Sequence, residues 1–275
     1  MTEQKKRISE SAEYLKSRNP FQEKIDVAII TYKDPLFLKE FRIVRKVKYS
    51  DIPPALESSD MNEGDFLFAA LRSNGKNVFI MNGRFNFYNG YSMRDLAHPI
   101  YVLKSLGVKT VIIIDEVGHL NPRFSVGSVA LIYDHINLMA DNPLIGENDN
   151  SIGPRFPDMS NAYDESLYSK AEKCMLEQKY KFHSAVYLGT VGPESETEAE
   201  CRFYREIGGD VVGYSLVPEN IAAVHSGLKC VAFGMISREL VADRLKEISG
   251  SEKKSNLTKA EKSFSQVFAS LMNSI

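Results

Sequence analysis

Asp115 and Glu116 are adjacent and His119 follows shortly after, a set of two carboxylates and an imidazole of the kind that moves protons at a reacting centre. Adjacent residues at a strand end point to opposite faces, so separate structural partners for the two carboxylates are expected in preference to a shared acid/base pair. His119 is open to two readings, a new general base or a solvent-facing loop histidine, and the loop reading is the plainer one. The remaining histidines, His98, His135, His183 and His225, make no HxxxH or HxH pair, and Cys174, Cys201 and Cys230 make no CxxC pair. Zinc sites and disulfide frameworks need such spacings, so no metal site is expected and the cysteines read as buried free thiols.

These groups depend on elements that hold them, and the chain alternates strand-like and helix-like stretches. Ile8, Ala12 and Leu15 give residues 8–18 a helical stripe that Pro20 ends. Residues 26–31 (DVAIIT) and 77–82 read as short strands, and a Gly- and aromatic-rich loop, 83–91, follows the second. Ser92 is an expected N-cap, after which Met93, Leu96, Ala97, Ile100, Leu103 and Leu106 line one helical face as far as Gly107. The β-branched run 110–114 then completes a strand, helix, strand unit whose sheet is covered on both sides.

The second half predicts strands at 185–190, 210–214 and 230–236. A capping box of Ser195 and Glu198 opens a helix to about Ile207, and a further helix spans 218–225 before Gly227. Residues 139–158 are expected to form a surface loop and 248–256 a mobile one. Ala260, Phe264, Val267, Phe268, Leu271 and Met272 mark a C-terminal helix over 258–275. The expected architecture is one α/β domain over 1–275, with a helix in 1–20 and a mixed, mostly buried central sheet flanked by helices.

Composition agrees with a globular chain: 275 residues, 43% hydrophobic, and 34 Lys+Arg against 36 Asp+Glu, a formal charge of −2. That balance lacks the basic excess of a nucleic-acid binder. The longest apolar runs, such as 111–114, fall far short of the ~20 residues that span a bilayer, and residues 1–10 are polar and lack the apolar core of a signal peptide. A soluble cytoplasmic protein with no membrane or nucleic-acid partner is expected.

The segments NGRFNFYNGYSM (82–93), GHLNPRFSVGSVALIYDHINLMADNPLIG (118–146), GPRFPDMSNAYD (153–164), GPESETEAECR (192–202) and VGYSLVPENIAAVHSGLK (212–229) carry a family likeness. In order and spacing, from about Val27 to Ile275, the chain resembles the trimeric, 6-oxopurine class of purine nucleoside phosphorylases. The resemblance implies a nucleoside phosphorylase-like fold, a homotrimer, and phosphorolysis of a purine ribonucleoside to free purine and ribose 1-phosphate. Phosphate is then a co-substrate and no cofactor is implied. Such an enzyme must hold a phosphate dianion, clamp the ribose and donate hydrogen bonds to the departing purine.

By the same resemblance Arg84 and Ser215 are phosphate positions, Tyr88 contacts ribose with Tyr214 beneath the sugar, and Glu196 and Arg238 face the base. Phe156 corresponds to a residue that reaches into the neighbouring subunit's site. Read on their own, Arg84 can equally be an ion-pair residue and Glu196 a helix-capping one.

Several positions depart from the family pattern. The Gly-rich phosphate loop is replaced by residues 31–36 (TYKDPL), without glycine and with Asp34 and Pro35. Asn86 replaces the histidine after GRF, and Asn62 or a neighbour in MNEG replaces that of PGHAG. Ser195 replaces the base-stacking Phe, Arg238 the base-contacting Asn, and no histidine occurs after His225. Residues 115–119 (DEVGH) replace a turn of small residues, NAAGG. Losing one preorganised oxyanion contact costs ~10²–10³ in rate. An impaired or inactive homologue, retained as a nucleoside-binding or protein-interaction scaffold, is therefore the leading expectation. An active phosphorylase is the alternative, and a nucleoside hydrolase using Asp115, Glu116 or His119 is the third.

Overall fold

The computed structural model describes residues 2–54 and 64–275, so Asn62 lies outside the described residues. The sheet grows outward from β1 (Val27–Thr31) and β5 (Thr110–His119), which run parallel and are almost wholly buried. Their apolar side chains alternate between two cores. Ala28, Ile30, Val111 and Ile113 enter one, and Val27, Ile29, Ile112 and Ile114 enter the other. A strand buried on both faces favours such a near-continuous apolar run, and its β-branched residues make both segments plain in the sequence.

On one side of β1 lie β4 (Asn77–Asn82), parallel to it, and then β3 (Asp65–Leu71) and β2 (Phe41–Lys48), which pair antiparallel. Beyond β5 lie β8 (Val211–Gly213), β7 (Phe182–Gly189), β6 (Val129–Asn137) and β9 (Lys229–Glu239). The order among the described residues is β2-β3-β4-β1-β5-β8-β7-β6-β9. Because β9 also pairs parallel with β5, the last five strands close into a ring.

One core is covered by α1 (Glu3–Arg18), α2 (Met93–Ser105) and α5 (Leu216–His225), the other by α3 (Glu165–Glu177) and α6 (Gly250–Ser274). The expected α/β architecture with a mixed central sheet between helices is the one observed. Ser92 caps α2 as expected, in a capping box with Asp95, and the three cysteines are free and buried.

Five expectations change. The unit formed by β4, α2 and β5 does not pair its own strands, because β1 inserts between them. β5 does not turn at Asp115 but continues to His119, its register with β9 shifting only at Gly118. His119 is accordingly a buried strand residue, 2% exposed, whose Nδ1 faces the Asn121 carbonyl at 3.0 Å, and not a solvent-facing loop histidine.

The capping box before α4 (Glu198–Glu206) is Thr197 with Glu200, not Ser195 with Glu198. Both pairs satisfy the pattern, and the later one leaves Ser195 and Glu196 free to turn toward Arg238. Finally, the charged stretch expected as a loop over 248–256 is helical from Gly250. Ser249 accepts from the Glu252 N–H, and buried Asn256 donates to the Ser237 carbonyl. Polar first turns facing water had hidden that start. No helix among the described residues is long and apolar enough to cross a membrane.

Candidate active site

The carboxyl ends of β1 and β4, the middle of β5, the start of α5 and the end of β9 open onto one cleft of about 690 Å³. Arg84, Tyr88, Tyr214, Ser215, Arg238, Asp115 and Glu116 all line it. Seven sequence-predicted positions are therefore brought together by the fold, with Glu196 one contact behind Arg238. Phe156 is elsewhere, 87% exposed beside Arg155 on a separate shallow hollow with Ile145 and Met159.

Arg84 lies just beyond β4, and its side chain is only 3% exposed. Nη1 meets Asp115 Oδ1 at 2.5 Å and Nε meets Glu219 Oε1 at 3.1 Å, while Nη2 is buried with no partner among the described residues. A guanidinium so far from water requires carboxylates, and two surround it. Burial pushes the Glu219 carboxyl up to about 7, against the pull of Arg84 and helped by the charge of Asp115.

The second oxygen of Asp115 accepts from the Tyr187 hydroxyl at 2.8 Å. Tyr187 Oη in turn receives the backbone N–H of Ser215 at 3.3 Å and of Leu216 at 3.5 Å, where α5 begins. Burial is the main cause that holds the Tyr187 hydroxyl protonated, with Asp115 adding to it. Gly213 makes this possible, since a Cβ there would overlap the Tyr187 ring and hydroxyl. Ser215 Oγ donates to Asn86 Oδ1 at 2.8 Å.

Glu116 turns away from its neighbour, accepting from Ser237 Oγ at 2.6 Å and pairing with Lys253 of α6 at 3.1 Å. The two carboxylates thus have separate partners, as alternation along a strand requires. Residues 31–36 are pinned by Asn82, which accepts from the Asp34 N–H and donates to its carboxylate, leaving Tyr32 and Lys33 to face the cleft.

On the opposite wall Glu196 has both oxygens engaged. Oε1 accepts from the Tyr214 hydroxyl at 2.9 Å and Oε2 from Arg238 Nη1 at 3.3 Å. Burial raises the Tyr214 hydroxyl to about 12, so it remains a donor. The rings of Tyr88 and Tyr214 meet edge to face with centroids 6.2 Å apart. Among the described residues no cluster of three or more His, Cys, Asp or Glu side chains is placed to hold a metal.

Sequence reasoning missed Tyr187, Glu219, Ser237 and Lys253. Two of them left a signal. A tyrosine within an apolar strand must find a partner for its hydroxyl, and a glutamate in a mostly apolar, buried helix must find a cation.

A nine-stranded mixed sheet with helices on both faces and a polar cleft at its strand ends is the architecture of the nucleoside-cleaving phosphorylases, and the phosphorylase superfamily profile matches residues 28–273. The chain is 40% identical over 234 residues to purine nucleoside phosphorylase 1 of Bacillus subtilis, covering 85% of each. It is 42% identical over 202 residues to purine nucleoside phosphorylase of Bos taurus, covering 71% of this chain and 69% of that one. A crystal structure of Schistosoma mansoni purine nucleoside phosphorylase with adenosine superposes with a TM-score of 0.86 at 28% identity, covering 97% and 96% of the two chains. This chain belongs to the purine nucleoside phosphorylase family.

Proposed function

We propose that this chain is a purine nucleoside phosphorylase homologue whose phosphorolysis is impaired or lost, retained as a nucleoside-binding or protein-interaction scaffold. In this reading it is a cytoplasmic homotrimer with Phe156 at the subunit contact. The observation that carries it is the state of Arg84. The one guanidinium at the inherited phosphate position is already held by Asp115 and Glu219 in a buried cluster. An incoming phosphate dianion competes with a fixed carboxylate for the same donor and meets its repulsion, worth about 1–4 kcal/mol at 4 Å for effective dielectrics of water and of a protein surface.

The base side adds to the argument. Glu196 can offer a purine N–H only an oxygen already engaged by Tyr214 or Arg238. Each lost preorganised contact costs ~10²–10³ in rate, and even with strong non-additivity several together leave little turnover.

An active phosphorylase is the second reading, supported by the 40% identity to the Bacillus subtilis enzyme and by the single cleft that still gathers Arg84, Tyr88 and Ser215. The deciding experiment is hypoxanthine release from inosine with and without phosphate. No phosphate-dependent release is expected from the purified protein, and clear phosphate-dependent turnover overturns the proposal. Release without phosphate indicates hydrolysis.

A further inference from the structure

We propose that Asp115 is a built-in counter-anion, a side-chain carboxylate seated where an inorganic oxyanion would otherwise bind, and that it is the residue which excludes such anions from the cleft. This deepens, and rests on, the reading above.

Three kinds of anion donor converge on one end of the cleft. They are the Arg84 guanidinium, the Ser215 hydroxyl, and the first backbone N–H groups of the ten-residue helix α5. A helix start, a hydroxyl and a guanidinium together are the usual equipment for a tetrahedral oxyanion. Here each donor ends on an acceptor from the chain itself. Ser215 Oγ gives its hydrogen to Asn86. The N–H groups of Ser215 and Leu216 point at Tyr187 Oη, which passes its own hydrogen to Asp115 Oδ2. Arg84 Nη1 ends on Asp115 Oδ1. Two of the three lines therefore terminate on one carboxylate, one through each oxygen.

The fit is incomplete in an informative way. Among the described residues Arg84 Nη2 has no acceptor although the side chain is 3% exposed, and Glu219 Oε2 is likewise buried and unpaired. A two-oxygen carboxylate anchored to a strand leaves a donor over that a tetrahedral, freely placed anion could reach. Asp115 and the carboxyl of Glu219 together balance or exceed the single charge of Arg84. Without Asp115 the balance around that guanidinium turns toward positive, and repulsion of an arriving anion is replaced by attraction.

The test compares wild type with D115N, which keeps the side-chain shape, and D115A, which empties the position. Thermal melts and titration calorimetry use inorganic phosphate as the probe, with sulfate as a second tetrahedral anion and chloride at matched ionic strength as control. Wild type is expected to respond to phosphate no more than to chloride. Both variants should gain melting temperature with rising phosphate, D115A binding it at least tenfold more tightly than wild type, and D115A/R84M should lose the gain.

Variants that respond to phosphate no more than wild type overturn the inference, as does failure of both to fold even in phosphate, which makes Asp115 a structural ion-pair residue only. Phosphate-dependent purine release by wild type defeats the proposed function and this inference with it. An inert wild type with phosphate-indifferent variants defeats this inference alone.

Discussion

Arg238 closes on Glu196. Nη1 lies 3.3 Å from Oε2, with the two side chains 12% and 4% exposed. The acid that the family likeness assigns to the base is thereby the acceptor of a guanidinium from the same chain. Removing one member of a buried pair leaves the other charged and out of water, which costs about 3–5 kcal/mol. R238M is therefore expected to lower unfolding stability by roughly that amount, less what the remaining water access of Arg238 returns. E196Q/R238M should lose clearly less than the two single variants summed, a coupling that urea denaturation of the four proteins measures.

Glu219 and His98 give stability opposite pH dependences. The Glu219 carboxyl holds its proton up to about 7 in the native chain against 4.5 in the free residue, so the native state binds more protons in that window. Its contribution is complete below about 4.5 and is lost as pH rises through about 7. His98, lowered to about 4 chiefly by burial, binds fewer protons than the unfolded chain. Its contribution is present above 6.5 and is lost as pH falls toward 4. E219Q should therefore make stability rise more steeply with pH between these limits, and H98Q should make that rise shallower, as read by urea midpoints across the range.

The His98 environment fixes its tautomer. Ser11 Oγ donates to the Pro53 carbonyl at 2.6 Å, which leaves that oxygen to accept from His98 Nε2 at 3.0 Å. S11A removes this link between α1 and α2 and orphans a buried imidazole N–H. A loss of about 1–3 kcal/mol is expected by urea denaturation.

Gly213 and Tyr187 should behave as one unit. G213A drives a methyl group into the Tyr187 ring and hydroxyl and is expected to cost about 1–3 kcal/mol. Y187F alone orphans the donors at the start of α5 and one oxygen of Asp115. Y187F combined with G213A should cost less than the sum, because the first change removes part of what the second overlaps.

The proposed assembly predicts a solution mass of about three times the 30.9 kDa chain by size exclusion with light scattering. F156A, at an exposed position in the monomer, should shift that mass downward without lowering the melting temperature of the dissociated chain.

The legible parts of the fold were those whose pattern follows from burial. Strands β1 and β5 are β-branched on both faces, and α2 carries a full apolar stripe between a capping serine and a left-handed glycine. β3 escaped although it is buried throughout, because its Phe, Leu and Ala residues include no β-branched side chain and do not separate a strand from a helix; the other segments that escaped were amphipathic or mixed. In β2 only Phe41 and Val47 are buried among exposed charges, β6 is buried in its first half alone, and α3 offers few core residues. At the site, the positions could be read but the pairings could not. That Asp115 meets Arg84 depends on β5 and β4 lying either side of β1, an order set by packing and absent from local periodicity.

Asp115 pairs in register with Gly234 of β9, and a Cβ on Gly234 would press against Val117. The backbone beneath the cleft is held in a tightly interlocked seam with no room to shift its path. Alteration there is confined to side chains, which accords with a chain trace that superposes on a relative at a TM-score of 0.86 with only 28% sequence identity. For protein engineering this makes the seam an addressable frame, where exchanges at Asp115 or Asn86 rewrite the lining one residue at a time without rebuilding the backbone underneath.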